Sequence, residues 1–163
     1  MTSKILILGE PNVGKTSLVN RFCEGVAFNE SRQNQTSKEL VHEKSRELQV
    51  NMDSGGTQMN ITLRLYDCAG DNSTQNLLNI YWQGVNAIVL VYSIDSNQSF
   101  DRLQNWIDAM NRTKKANEVV HIALVASKSD LQASRLVPTA QGFQLKDTIC
   151  ASKNPLNAQQ PQL

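Results

Sequence analysis

Gly9 and the triplet Gly14-Lys15-Thr16, with four residues between them, follow directly on the apolar run Ile5-Leu6-Ile7-Leu8. That spacing is what a phosphate-binding loop requires between a buried strand and a helix. Glycine at both ends lets the backbone curl, so that N–H groups from Gly9 through Asn12, Val13 and Gly14 point inward at phosphate oxygens. Lys15 then reaches the β- and γ-phosphates, and the Thr16 hydroxyl sits on a magnesium ion. A helix starting near Lys15 adds its positive end to the same place. The chemistry expected is Mg²⁺-dependent binding of a nucleoside triphosphate.

Three further clusters suit that chemistry. Asp67 follows Leu63-Arg64-Leu65-Tyr66 and is placed to partner the magnesium at Thr16. Alone, a strand-terminal aspartate is more often a turn former. Gly70 either donates its N–H to a γ-phosphate or simply eases a turn. In Ser127-Lys128-Ser129-Asp130, the Asp130 carboxylate can accept two hydrogen bonds from a guanine edge, which adenine does not offer. The aliphatic stem of Lys128 can cover the base plane. Ala151-Ser152-Lys153 can approach the base from the other side through backbone N–H groups. Taken alone, each of these last two stretches more often marks a solvated loop, and their expected place after the last two strands is what singles them out.

Positioning these residues takes a particular order of elements. The first strand leads into a helix over Lys15–Phe22, with Leu18, Val19 and Phe22 on one side. Cys23 to Ser37 reads as a long polar loop, and such a loop is disfavoured unless it works. An extended stretch from Glu39 to Asn51, a turn at Met52–Thr57 and an alternating strand through Ile61, Leu63 and Leu65 read as a hairpin. A helix ends near Trp82, and Ala87–Tyr92 is an apolar strand of the buried parallel kind. Ser96 opens a helix running to about Arg112, with Phe100, Leu103, Trp106, Ile107 and Met110 on its apolar face. Val119–Ala126 is a further strand, then a short helix around Thr139–Leu145 and a brief strand at Thr148–Cys150. The fold expected is an α/β three-layer sandwich with a mostly parallel sheet. Ligands in such folds lie beyond the C-terminal strand ends, where every cluster above falls. Residues 1–154 form the domain, and 155–163, with no amphipathic period, form a disordered tail.

Composition narrows the classes. A chain of 163 residues makes one domain with one core, and a formal charge of +1 recruits neither nucleic acid nor anionic membrane. Cys23, Cys68 and Cys150, odd in number and widely spaced, read as reduced thiols of an intracellular, cytoplasmic protein. The run from Ile5 is too short for a signal peptide, and no apolar run approaches the roughly 20 residues that span a bilayer. His42 and His121 lack ligand spacing, so a histidine metal site is not expected.

The ordered set Gly9–Thr16, Thr36, Asp67-Cys68-Ala69-Gly70, Ser127-Lys128-Ser129-Asp130 and Ala151-Ser152-Lys153 resembles that of Ras-superfamily small GTPases. The stretch from Tyr81 to Tyr92, with Ser99-Phe100 and Trp106, resembles the Rab branch most. A narrower likeness is to the Rab-like GTPase subunit of the intraflagellar transport complex. It rests on Gly9-Glu10-Pro11-Asn12-Val13-Gly14-Lys15, the long first loop with Gly25 and Phe28 before Thr36-Ser37-Lys38-Glu39-Leu40-Val41, the extended turn at Met52–Met59 and the position of Trp82. The resemblance implies the P-loop NTPase fold, GTP/GDP and Mg²⁺ as ligands, Thr36 capping magnesium in the GTP state, and Phe28 packing beside guanine. It implies a first switch around Asn29–Ser37 and a second around Gly70–Leu78, ordered by the γ-phosphate. It also implies a protein partner, either an effector or a small β-sandwich transport subunit, no lipid anchor in this chain, and a place in the cilium or flagellum.

The departures from the family pattern bear on activity. Asp71 stands where the family's water-positioning glutamine follows the glycine, and a short negative side chain near the γ-phosphate repels more than it orients. Pro11 replaces a small residue and can crowd a supplied arginine. Ser127 replaces the usual asparagine, and its shorter reach weakens the tie from base motif to phosphate loop, at a cost on the order of 1 kcal/mol per lost hydrogen bond. The family's last amphipathic helix and prenylated tail have no counterpart, and Cys150 is expected to be buried in a motif position. Either the chain is truncated or a partner covers the open face. Two readings compete: a slow GTP-dependent switch, and a structural subunit whose nucleotide merely stabilises the fold. An ATP-using P-loop enzyme lacks an arginine-rich lid here.

Overall fold

The computed structural model describes residues 1–25, 40–51, 58–71, 78–114 and 119–153, with side chains described as far as Cys150. Among the described residues five strands form one sheet: β1 (Thr2–Leu8), β2 (Val41–Asn51), β3 (Gln58–Cys68), β4 (Val85–Ser93) and β5 (His121–Ser127), in the order β2-β3-β1-β4-β5. β2 and β3 pair antiparallel from Val41↔Cys68 to Asn51↔Gln58, as the alternating pattern requires of a hairpin. Every other pairing is parallel: Ile7 faces Asp67 on one side of β1 and Val89 on the other, and β4 runs beside β5 to Ser93↔Ser127. The C-terminal ends of β1, β3, β4 and β5 therefore share one edge. Parallel strands need crossovers, which here are helices on the two faces.

Side-chain alternation along a strand sorts the core into two layers. Leu6, Leu8, Ile88, Leu90 and Tyr92 point to one face, where Leu103, Trp106, Ile107 and Met110 of α3 (Leu103–Thr113) cover them. Ile7, Leu65 and Val91 point to the other face and meet Val13 and Val19, the latter on α1 (Lys15–Glu24). Ile5, Leu63, Val89 and Val125 on that second face are only partly buried. Leu78 and Trp82 lie inside the first layer.

Several boundaries differ from those the sequence suggests. Leu18 and Phe22 are exposed and only Val19 and Lys15 of α1 are buried, so the helix packs through a narrower stripe. The helix opened by Ser96 is two pieces, α2 (Asn97–Asp101) and α3, joined at Arg102. Ser96 caps α2 by accepting from the Ser99 N–H at 3.2 Å.

The largest correction is at the end of the described chain. The strand expected at Thr148–Cys150 is helical: α4 runs unbroken over Thr139–Lys153. The Thr148 hydroxyl donates back to Gln144 O at 3.0 Å and Ile149 enters the core, so both residues that favour a strand find partners within helical geometry. Cys150, expected to be buried, is exposed on that helix.

Candidate nucleotide site

The phosphate loop joins β1 to α1, and its shape comes from close backbone approach. Gly9 has φ +146°, and a Cβ there would lie 2.1 Å from Val91 O. Gly70 is pressed onto the same loop from the β3 side, where a Cβ would lie 2.3 Å from Glu10 C and Pro11 N. No residue with a side chain fits either place. Gly14 caps α1 in the left-handed region, and Asn12 also has a positive φ of 62°. Lys15 Nζ folds back over the loop, donating to Gly9 O at 3.0 Å and Glu10 O at 2.8 Å. Its ammonium is buried, and desolvation pulls its pKa down from the ordinary lysine value.

Asp67, one residue before the end of β3, accepts from the Thr16 hydroxyl at 2.5 Å. Its carboxylate is buried, and desolvation raises its pKa against the opposing pull of the Thr16 bond, Lys15, His42 and Lys44. The adjacent Cys68 thiol is pushed up to about 12, again chiefly by burial. A buried ammonium held down by desolvation gains from an anion, and a buried carboxylate pushed up gains from a cation. A Mg²⁺–nucleotide supplies both, so the residues present fit it.

The far side of the loop is held by the β5 end. Ser127 Oγ is buried and lies 2.5 Å from Val13 O and 2.8 Å from Tyr92 O. The hydroxyl reaches the phosphate loop at Val13 O. It has a single proton for two carbonyls, however, where an asparagine amide carries two. Lys128 follows in the left-handed region at φ 57°, its Nζ 3.7 Å from an Asp95 carboxylate oxygen. The Ser93 hydroxyl donates to Asp95, and this bond holds the Asp95 carboxyl below the usual carboxylate range. Asp130 is exposed beyond them. A cavity of about 180 Å³ opens between Glu10–Val13 and the Ser93–Ser99 and Lys128 wall.

The structure thus brings Gly9, Asn12, Val13, Gly14, Lys15, Thr16, Asp67, Gly70 and Ser127 together, with Asp71 at the margin and exposed. Phe28, Thr36, the whole expected first switch, residues 72–77 of the second and residues 154–163 lie outside the described residues. Ala151-Ser152-Lys153 form the last turn of α4 rather than a loop after a strand, so their N–H groups are turned into the helix. Sequence reasoning missed Ser93, Asp95 and Arg102. The last bonds Glu10 from 92 residues away, a distance at which one sequence carries no pairing signal.

Comparison with known proteins agrees with this geometry. The Ras family profile matches residues 4–155. Ras-related protein Rab-21 of Dictyostelium discoideum is 32% identical over 137 residues, covering 84% of this chain and 59% of its own length. Human Ras-related protein Rab-21 is 31% identical over 157 residues, 96% of this chain and 64% of its own. Ras-related protein SEC4 of Candida albicans is 32% identical over 146 residues, 89% of this chain and 63% of its own. The chain therefore spans about three-fifths of the length of the relatives it matches. Guanine nucleotide and Mg²⁺ are the ligands that this kinship brings to the loop. With a phosphate loop, a Thr16–Asp67 pair and a Ser127 tie on one strand edge, the chain belongs to the Ras family of small GTPases, in its Rab-like branch.

Proposed function

We propose that the chain is a guanine-nucleotide-binding switch with slow intrinsic GTP hydrolysis, acting in membrane trafficking. The observation that carries the reading is the Thr16 hydroxyl bonded to Asp67 at 2.5 Å beside the buried Lys15. Magnesium, when bound, supplies charge neutralisation at the phosphates. Lys15 and the N–H groups from Gly9 to Gly14, with that of Gly70, hold phosphate oxygens where negative charge develops. Thr16 and Asp67 hold the metal side, and Thr36 completes it. On the base side Asp130 selects guanine, Lys128 and Phe28 flank the ring, and Ser127 fixes the wall to the loop. For Ala151, Ser152 and Lys153 to reach the base, the last turn of α4 has to open. Asp71 orients the attacking water poorly, so GTP gives GDP and phosphate slowly.

The finer reading, a subunit of intraflagellar transport with a small β-sandwich partner in the cilium, is supported by the likeness at Gly9–Lys15, the long first loop, the hairpin turn and Trp82. A non-switching structural subunit is favoured by one feature, Asp71 in the place of glutamine.

The test is direct. Protein purified with Mg²⁺ is denatured and its released nucleotide identified, then single-turnover hydrolysis is followed after loading with GTP. Guanine nucleotide, displaced by GTP but not by ATP and turned over slowly, is the expected result. Protein that takes up neither GDP nor GTP sinks the reading. Equal partner capture in the GDP and non-hydrolysable GTP states turns the switch into a structural subunit, and capture of a transport-complex partner decides the finer assignment.

A further inference from the structure

Glu10 is the single acidic residue between Gly9 and Thr16. Its side chain is about 10% exposed and accepts from Arg102 Nη1 at 2.8 Å. Arg102 stands at the junction of α2 and α3, half exposed, so its guanidinium spans from solvent to the inner side of the phosphate loop. The Glu10 carbonyl meanwhile takes a hydrogen bond from Lys15 at 2.8 Å. The Glu10 carboxylate is also among the charges that act on Lys15.

Resting on the nucleotide-binding reading, we infer that Arg102 is a positioning residue for phosphate binding, which neutralises Glu10 so that Lys15 and the loop stay electropositive toward the nucleotide. A mostly buried carboxylate that loses its partner is an uncompensated charge in a medium where charges are weakly screened. It then competes with phosphate for the Lys15 ammonium and repels the phosphates themselves. With Arg102 in place the pair is neutral, and Lys15 is left to the ligand.

A plain mechanical tether between α3 and the loop predicts something else. A tether is lost whichever partner is removed, whereas the electrostatic role is lost with Arg102 alone and restored when the Glu10 charge goes too.

The experiment titrates a fluorescent GDP analogue with Mg²⁺ into wild type, Arg102→Ala, Arg102→Lys and the double variant Glu10→Gln/Arg102→Ala. Unfolding midpoints of the nucleotide-free proteins are measured alongside. Arg102→Ala is expected to weaken binding about tenfold, the size of a lost charge-assisted hydrogen bond. Arg102→Lys recovers most of that, because the charge remains. The double variant returns to within about threefold of wild type. A double variant as weak as Arg102→Ala overturns the inference, and so does an Arg102→Ala protein that binds like wild type. Wild type that binds no GDP overturns the GTPase reading itself, and this inference with it.

Discussion

Ser127 shows how much one side chain can hold with one proton. Its hydroxyl sits between Val13 O at 2.5 Å and Tyr92 O at 2.8 Å, joining the phosphate loop to the end of β4. Ser127→Ala leaves both buried carbonyls to find other donors. It is expected to cost about 1–2 kcal/mol in denaturant unfolding and to weaken GDP binding several-fold. A Ser127→Ala protein unchanged in both would remove the tie from the account. Asp95 supplies a pH signature nearby. Its pKa is lowered, first by the Ser93 hydroxyl and further by Lys128, so the folded state prefers the charged carboxylate. The stability it contributes is present above its ordinary value of 3.8 and is lost as pH falls through the lowered folded value. The stability gap between wild type and Asp95→Asn should therefore hold steady above about pH 5 and close in more acidic buffer. At this scale the grouping of Gly9–Thr16 with Asp67 and Gly70 was legible because a phosphate loop demands glycine, lysine and hydroxyl residues at a fixed spacing after a strand. Glu10 and Arg102 were not, since a salt bridge between residues 92 apart leaves no local pattern.

At the scale of elements, α2 and α3 wall the site at one end and cover the core at the other. Ser96→Ala removes the cap on α2, where the Ser99 N–H is 3.2 Å from the Ser96 hydroxyl. Circular dichroism melts should show a loss of about 1 kcal/mol. Trp106 is fully buried under the sheet, so Trp106→Ala is expected to cost about 3–5 kcal/mol. The strands, the β2–β3 hairpin and the parallel sheet were legible because apolar alternation and short apolar runs report burial directly. α4 was not. Thr148 and Ile149 are β-branched and read as a strand, but the Thr148 hydroxyl is satisfied at Gln144 O, 3.0 Å away, and Ile149 enters the core from the helix. The helix makes its own prediction. Cys150 is exposed and Cys68 buried with a thiol pushed up to about 12, so a maleimide should label Cys150 in the native protein and Cys68 only after unfolding. Native labelling of Cys68 ahead of Cys150 contradicts the helical end.

For the molecule as a whole, ligand and fold are linked. Anything that binds the folded state alone raises its stability, by about 4 kcal/mol at a thousand times the dissociation constant. Saturating GDP with Mg²⁺ should raise the unfolding midpoint, and chelation of the metal should take most of that rise away. ATP in the same experiment should leave the midpoint where it was. A final consequence of the Ser127 tie concerns synthesis. The phosphate loop is synthesised before its neighbours in the sheet: β1 waits for β3 and β4, and the loop's own tether at Ser127 comes 114 residues after Val13. At roughly 5–20 residues per second, that interval is about 6–23 s. A nascent chain stalled before residue 127 should hold no guanine nucleotide, although it already carries the whole phosphate-binding motif.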